Sequence, residues 1–316
     1  MIDSMRVREN FAIRAITHRR RWFVSAILLM MISVSQAWGA DTHTQKQSFN
    51  KRFDQGLLWQ IDANGVEPSY LFGTIHSDDP LVNKLPKLVT DKLSASDRFV
   101  MEVVMDQQSL RYMSDAIFLP PDQSLQRLLG IRLYDDTREA LIRRGMTDEH
   151  LDRVRPWLVI TMLSMPARQN GKFMDLNLQS LAISLQKQVS ALETVAEQIA
   201  VFDGLSIGDQ VALLDATVRH NQKLDGQLAE LTRVYRSRNL RLLEALSRKH
   251  YVDDGRVYRR FMRKLLHERN GRMLSRLQPL LTEGKVFIAV GALHLAGESG
   301  LLQQLEQAGY RLTPLW

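Results

Sequence analysis

Apolar positions along the chain follow two periods, and together they predict β–turn–α units at both ends of a helical middle. Leu57–Ile61 and Tyr70–Phe72 are short apolar runs flanking Asp62-Ala63-Asn64-Gly65. Asn-Gly between such runs signals a hairpin, because these residues accept the positive φ of a tight turn. The second run leads into Gly73-Thr74-Ile75-His76. Leu85–Leu93 predicts a helix with Pro86 in its first turn. Arg98–Met105 is β-branched and apolar, a buried strand interrupted by Glu102. From Ser124 to about Lys187 the pattern is helical. Asp122 is the expected cap of its first helix and Gly145 the C-cap of the next. Pro156 opens a helix to Met165, and Asp175 is the expected cap of Leu176–Gln186. Val189–Leu192 predicts a short strand ending at Glu193. Ile207–Leu246 and Tyr251–Leu281 are helical, the former long and amphipathic. Lys285–Val290 is a second buried-strand run, ending in Gly291-Ala292-Leu293-His294. A helix from about Ser299 to Gln307 and an edge strand over Tyr310–Leu315 complete the pattern.

These elements imply a mixed α/β fold. The expected architecture is a single domain over 55–316, after a polar, flexible start at 41–54. Its central sheet comes from the N- and C-terminal segments, with a large helical insert over roughly 122–281.

The first 40 residues follow a different pattern. Arg19–Arg21 precede an apolar run from Trp22 to Val34, and the small residues Ser35, Ala37, Gly39 and Ala40 come next. That order is a secretory signal peptide. The run is about 13 residues, short of the roughly 20 that span hydrocarbon. The expectation is cleavage after Gly39 or Ala40 and export to the periplasm. A retained N-terminal anchor is the alternative, and the only membrane attachment expected.

Charge changes meaning once this segment is set aside. It carries six arginines against Asp3 and Glu9, so only +3 of the formal +7 belongs to the remainder. The pI near 9.7 therefore does not point to nucleic acid. Within Arg256–Arg272, Val257, Phe261, Leu265 and Leu266 recur at helical spacing, so the basic residues read as a solvated helix face. At 45% hydrophobic and 24% charged, the composition is that of a globular protein. The absence of cysteine excludes disulfides, thiolate chemistry and cysteine-ligated zinc.

Two segments share one design: an apolar strand, then Gly-x-x-His. Their histidines, His76 and His294, lie 218 residues apart. Gly73 and Gly291 allow a sharp turn and close approach of a ligand. In open α/β sheets, ligands bind at the carboxyl ends of strands. Imidazole serves metal binding and general base chemistry alike, although each histidine alone also suits a plain buried position bonded to backbone. Glu102 is flanked by apolar residues, and a buried carboxylate needs a cation, a metal or a raised pKa. Its alternatives are a solvated sheet face or pairing with Arg98. Glu193 ends a strand and suits either a site or a helix N-terminus. Arg269 could clamp a carboxylate or phosphate, though a surface position is its default; Asn270 is adjacent. Asp78 and Asp79 follow His76 as supporting residues or loop caps. His150, His220, His250 and His267 are expected at the surface. No serine-hydrolase elbow, Walker loop or His-Glu-x-x-His is present.

Several segments together resemble the TraB/GumN family, related to the Tiki proteins. They are Tyr-Leu-Phe-Gly-Thr-Ile-His (70–76), Val-Met-Glu (100–102) and Ala-Leu-Glu-Thr with Glu-Gln (191–198). Glu-Arg-Asn (268–270) and the Val-Gly-Ala-Leu-His-Leu-Ala-Gly run with its later Gly-Tyr (290–310) extend the match across nearly the whole chain after the leader. The resemblance implies a mixed α/β core with a helical insert and a metal-dependent, peptidase-like activity. It places the site at His76, His294 and Glu102, with Arg269 and Asn270 nearby. One departure is Phe173-Met174-Asp175, where Gly-hydrophobic-Asp is expected.

The expectation is thus an exported metal-dependent hydrolase that cleaves a peptide or protein. His76, His294 and Glu102 would bind zinc, manganese or cobalt, leaving positions open for water and substrate. Glu193 or an unliganded group would move protons. Two rivals remain open: a non-catalytic protein that sequesters a peptide, a haem-like ligand or a metal, and a metal-free hydrolase using the histidines as bases.

Overall fold

Strands from opposite ends of the sequence meet at the centre of one sheet. A computed structural model describes residues 51–77, 79–165, 173–248 and 255–316. The leader, most of the polar start, Asp78, His250 and Tyr251 lie outside them. The strands are β1 (Leu58–Asp62), β2 (Ser69–Thr74), β3 (Arg98–Met101), β4 (Gln188–Ala191), β5 (Val286–Gly291) and β6 (Arg311–Pro314). Their order is β4-β3-β5-β2-β1-β6. β4, β3, β5 and β2 are parallel, and β1 pairs antiparallel with β2 and β6. β2 and β5 are buried along their whole length, as central parallel strands covered on both faces must be.

The hairpin between β1 and β2 forms as expected, but its connection runs over residues 63–68, with Gly65 at φ 78°. β3 is shorter than the run to Met105 that its sequence predicts. It stops at Met101, where the Gly291 N–H turns to the Glu102 carboxylate at 2.7 Å.

Helices fill the connections: α1 (Pro80–Asn83), α2 (Lys87–Ala95), α3 (Gln107–Ala116), α4 (Leu125–Arg143), α5 (Pro156–Ser164), α6 (Met174–Ser184) and α7 (Val195–Asp203). They continue with α8 (Ile207–His220), α9 (Leu224–Arg236), α10 (Leu240–Arg248), α11 (Gly255–Met262), α12 (Arg269–Leu281) and α13 (Leu301–Gln307). Helical structure thus begins before residue 122, since Asp106 caps α3 by accepting from the Ser109 N–H at 2.7 Å. Ser124, not Asp122, caps α4, and Gly130 at φ 73° breaks that helix. Pro86 precedes α2 as its N-cap residue instead of lying inside it. Asp175 lies within the first turn of α6 and not before it, because its carboxylate is committed elsewhere. No helix among the described residues is long and apolar enough to cross a membrane.

The apolar core has two main parts. One packs on the sheet through Phe72, Phe99 and Phe287. The other is entirely helical, around Trp157, Phe202 and Phe261, with ring centroids 6.3 and 5.1 Å apart. Each fully buried large apolar side chain contributes about 1.5–3 kcal/mol. A π-helical turn over Arg263–Glu268 joins α11 to α12. The extra residue of such a turn shifts the helix face that follows. Arg269 and Asn270 enter the interior there, while Arg256, Arg259, Arg260 and Arg263 stay exposed.

Candidate active site

β2 and β5 lie side by side with Thr74 opposite Gly291. Their Gly-x-x-His turns therefore leave the same edge of the sheet, at the carboxyl ends of adjacent parallel strands. His76 and His294 are both buried, 4% and 0% exposed. Gly73 makes the two turns compatible: a Cβ there would meet Ala292 Cα at 3.1 Å and the Leu295 side chain at 3.1 Å. Its smallness serves packing of turn against turn. Gly291 instead supplies its N–H to Glu102.

Each imidazole is held through Nδ1. His76 Nδ1 lies 2.6 Å from Asp175 Oδ2, an ion-pair contact off the line of a hydrogen bond. The other oxygen of Asp175 accepts from the Thr74 hydroxyl at 2.6 Å. His294 Nδ1 lies 2.5 Å from Asn270 Oδ1. Asn270 is itself fixed by donating to the carbonyls of His294 (3.2 Å) and Ser299 (2.7 Å). An amide oxygen can only accept, so this contact puts the proton of a neutral His294 on Nδ1 and leaves Nε2 bare. Both Nε2 atoms are buried without a hydrogen-bond partner, and that of His294 is 3.8 Å from Glu102 Oε1.

Glu102 is the hub of a buried charge network. Its Oε1 accepts from Gly291, and its Oε2 accepts from Arg269 at 2.6 Å. Arg269 also grips Glu193 Oε2 at 2.6 and 2.8 Å, and Arg272 donates to Glu193 Oε1 at 2.9 Å. The Gln198 amide stands 3.4 Å from Glu102 and 3.5 Å from Glu193. Arg269 is 2% exposed, so the default surface placement does not hold. It is drawn inside because two buried carboxylates need its charge.

Burial and neighbours set the protonation states. Burial opposes charge on Glu102, but the Arg269 guanidinium, then His294, His76 and the Gly291 N–H, hold its pKa down to about 2. Burial and then Arg269 push His294 down to about 3. Burial also disfavours the His76 cation, yet the Asp175 carboxylate outweighs it and raises the pKa above its ordinary value. Burial works against the Arg269 charge too, and Glu102 and Glu193 more than restore it.

This donor set fits a cation in part. A histidine ligand uses one ring nitrogen while an oxygen partner fixes the other, and both imidazoles have that arrangement. Glu102 is already bonded at both oxygens. Among the described residues no group of three or more His, Asp or Glu side chains converges closely enough to hold a metal ion.

The remaining residues fall outside the cluster. Asp79 caps α1 by accepting from the Leu81 N–H at 2.8 Å. His267 is exposed, whereas His150 and His220 are half-buried, the latter bonded to Ala216 O at 2.8 Å. Sequence reasoning gave Asp175 only a capping role and passed over Thr74, Gln198 and Tyr235. The one signal for Asp175 lay in the Phe173-Met174-Asp175 segment. Gln198 lies in the Glu-Gln pair of the 191–198 segment.

Comparison with known proteins identifies the family. The family model described as TraB/PrgY/gumN matches residues 57–314. Metalloprotease TIKI2 of Danio rerio is 24% identical, over 92% of this chain and 67% of its own length. Metalloprotease TIKI1 of Xenopus tropicalis is 23% identical, over 91% and 67%. The uncharacterized protein YbaP of Shigella flexneri is 25% identical, over 78% of this chain and 90% of its own. The chain thus spans about two thirds of the length of the TIKI relatives and most of YbaP. No solved structure matches it significantly. With all six strands and both histidine turns inside the matched span, the chain belongs to the TraB/PrgY/gumN family.

Proposed function

We propose that this protein is an exported, metal-dependent hydrolase that cleaves peptide bonds. The observation that carries the reading is the pair of buried imidazoles whose Nε2 atoms lack partners while Asp175 and Asn270 hold each Nδ1. The names of the TIKI relatives support it. His76 and His294 would hold a divalent cation through Nε2, with Glu102 supplying negative charge beside them. Such an ion lowers the pKa of a bound water and polarises a carbonyl. Zinc, manganese and cobalt all suit imidazole and carboxylate donors.

The chain's own residues do the rest. Asn270 fixes the neutral tautomer of His294, and Asp175 fixes the ring of His76. Arg269 keeps Glu102 ionised and in place. Glu193 is bonded to Arg269 and Arg272, so it secures Arg269 and is poorly placed to move protons. The leader pattern over residues 1–40 supports export.

The test is metal content and peptide hydrolysis of the purified protein, in wild type and in His76→Ala, His294→Ala and Glu102→Gln. Near-stoichiometric metal, lost with activity in each folded histidine variant, is the expected result. Wild type that binds no zinc, manganese or cobalt overturns the metal-dependent reading. Metal without hydrolysis of any peptide points to a sequestering protein instead.

A further inference from the structure

The sheet has two outer edges, and they differ. β6 carries Pro314, which has no N–H to offer, and the exposed Arg311. Proline and charge both blunt a strand edge. β4 is Gln-Val-Ser-Ala and has neither. It pairs with β3 on one side, and among the described residues no strand lies on the other. The Leu192 N–H donates to the Met101 carbonyl at 2.8 Å. In a parallel ladder alternate residues turn their backbone groups to the same side, so Gln188 and Ser190 face β3 as well. Val189 and Ala191 therefore turn their N–H and C=O groups outward, where among the described residues nothing bonds to them. Ala191 is exposed and Val189 half-buried, so this edge is within reach of a partner.

The open edge leads to the candidate site. β4 runs parallel to β3 and β5, so its carboxyl end lies on the rim from which the histidine turns leave. Past Ala191 the chain stays against β3, where the Glu193 N–H donates to the Glu102 carbonyl at 2.8 Å. A chain laid along β4 towards this rim arrives beside the buried charge network. An extended peptide offers what the edge lacks, a row of main-chain donors and acceptors at matching spacing.

Resting on the hydrolase reading, we infer that an extended stretch of the peptide substrate docks on β4 as a further strand, bonded to Val189 and Ala191. Recognition there is of main-chain conformation and not of one side chain. Strands lie about 4.8 Å apart, which puts the turns after β5 and β2 about 14 and 19 Å from the added strand. An extended chain advances about 3.3 Å per residue. The bond cleaved therefore lies about four to six residues beyond the docked stretch.

The probe is an acetylated peptide with alternating threonine and valine in one half and glycine, serine and alanine in the other, made in both orders. Binding is followed by NMR of the Val189 and Ala191 amides, and cleavage is mapped by mass spectrometry. Wild type should show both amides shifted and cleavage about four to six residues outside the threonine–valine half. N-methylation of that half removes the peptide's donors and leaves the protein untouched. Each lost main-chain bond weakens binding about fivefold, so the methylated peptide should bind at least about tenfold more weakly. Ala191→Pro removes an outward donor without breaking the ladder to β3, and should raise KM at least about tenfold. If that variant does not fold, the methylated peptide carries the test alone. Peptide turnover unmoved by either change, or cleavage at no fixed distance from the threonine–valine half, overturns the docking edge and leaves the hydrolase reading intact. Amide shifts lost on methylation, with no turnover of any peptide, keep the edge and overturn the hydrolase. A wild-type dimer that Ala191→Pro makes monomeric, with no peptide bound, makes a second copy the occupant and overturns the proposal. Neither amide shifts nor turnover overturns both.

Discussion

The two Gly-x-x-His turns are alike in sequence and in place, yet they present different imidazoles. His76 faces a carboxylate, Asp175, and its pKa rises. His294 faces a neutral amide, Asn270, and its pKa falls to about 3 under burial and Arg269. Near neutral pH one ring is biased towards the cation and the other is locked neutral. The motif fixes where a ring sits, and its partner from a distant helix fixes what the ring can do. A divalent cation held by both Nε2 atoms would displace a proton from His76 and none from His294.

The largest way to break this contrast is to remove Arg269. Arg269→Met leaves Glu102 and Glu193 buried without their shared cation. It should cost about 3–5 kcal/mol in chemical denaturation, and His294 should titrate higher by NMR. A loss under 1 kcal/mol would mean that the network is not closed in solution.

Asp175→Asn makes the first turn resemble the second. The NMR pKa of His76 should drop below its ordinary value, and stability should fall by about 1–3 kcal/mol. Where metal is bound, its affinity should fall about 10–100-fold, read by chelator competition. An unshifted His76 would remove Asp175 as the source of the difference.

The pH dependence sharpens the same contrast, because the two rings contribute with opposite sign. His294 ionises near 6.5 when unfolded and near 3 when folded, so its contribution is present above 6.5 and is lost as pH falls towards 3. The His76 contribution is present below 6.5 and is lost as pH rises through its raised pKa. Glu102 adds stability that persists above 4.5 and is lost as pH falls towards about 2. In chelator-treated protein, His294→Gln should flatten the fall between pH 6.5 and 5.5 by about 1 kcal/mol. An unchanged acid limb would contradict a neutral, buried His294.

Thr74→Val is the mildest change. It removes the hydroxyl donated to Asp175 and should cost about 1 kcal/mol in chemical denaturation. Identical melting curves would show that Thr74 does not hold Asp175.

The two strand ends were legible in the sequence because an apolar run, a glycine and a histidine are all local signals. Glu102 was legible for a related reason: a charge inside an apolar stretch has few comfortable explanations. Arg269 was legible through the family resemblance of Glu-Arg-Asn (268–270) and not through local pattern, since its helix is rich in arginine and nothing local distinguishes the buried one. Its burial depends on Glu102 and Glu193, 167 and 76 residues away, and on the π turn before it. Asp175 was misread because an acidic residue at a helix start suits capping equally well. Its contact with His76 exists only once α6 packs on the end of β2. Local pattern thus located the strand-borne groups, and tertiary packing supplied their partners.

The position of β5 has a consequence for how the molecule is made. It is the fifth strand in sequence but lies between the second and third in space. Until residue 291 has been synthesised, β2 and β3 each present a bare apolar edge with no neighbour to close it. Pairing Tyr70 with Phe287 also closes a loop of more than two hundred residues, so assembly is slow compared with that of the local helices. The sheet therefore stays unfinished until β5 has been made. Prematurely terminated chains inherit exposed strand edges of the kind that aggregate.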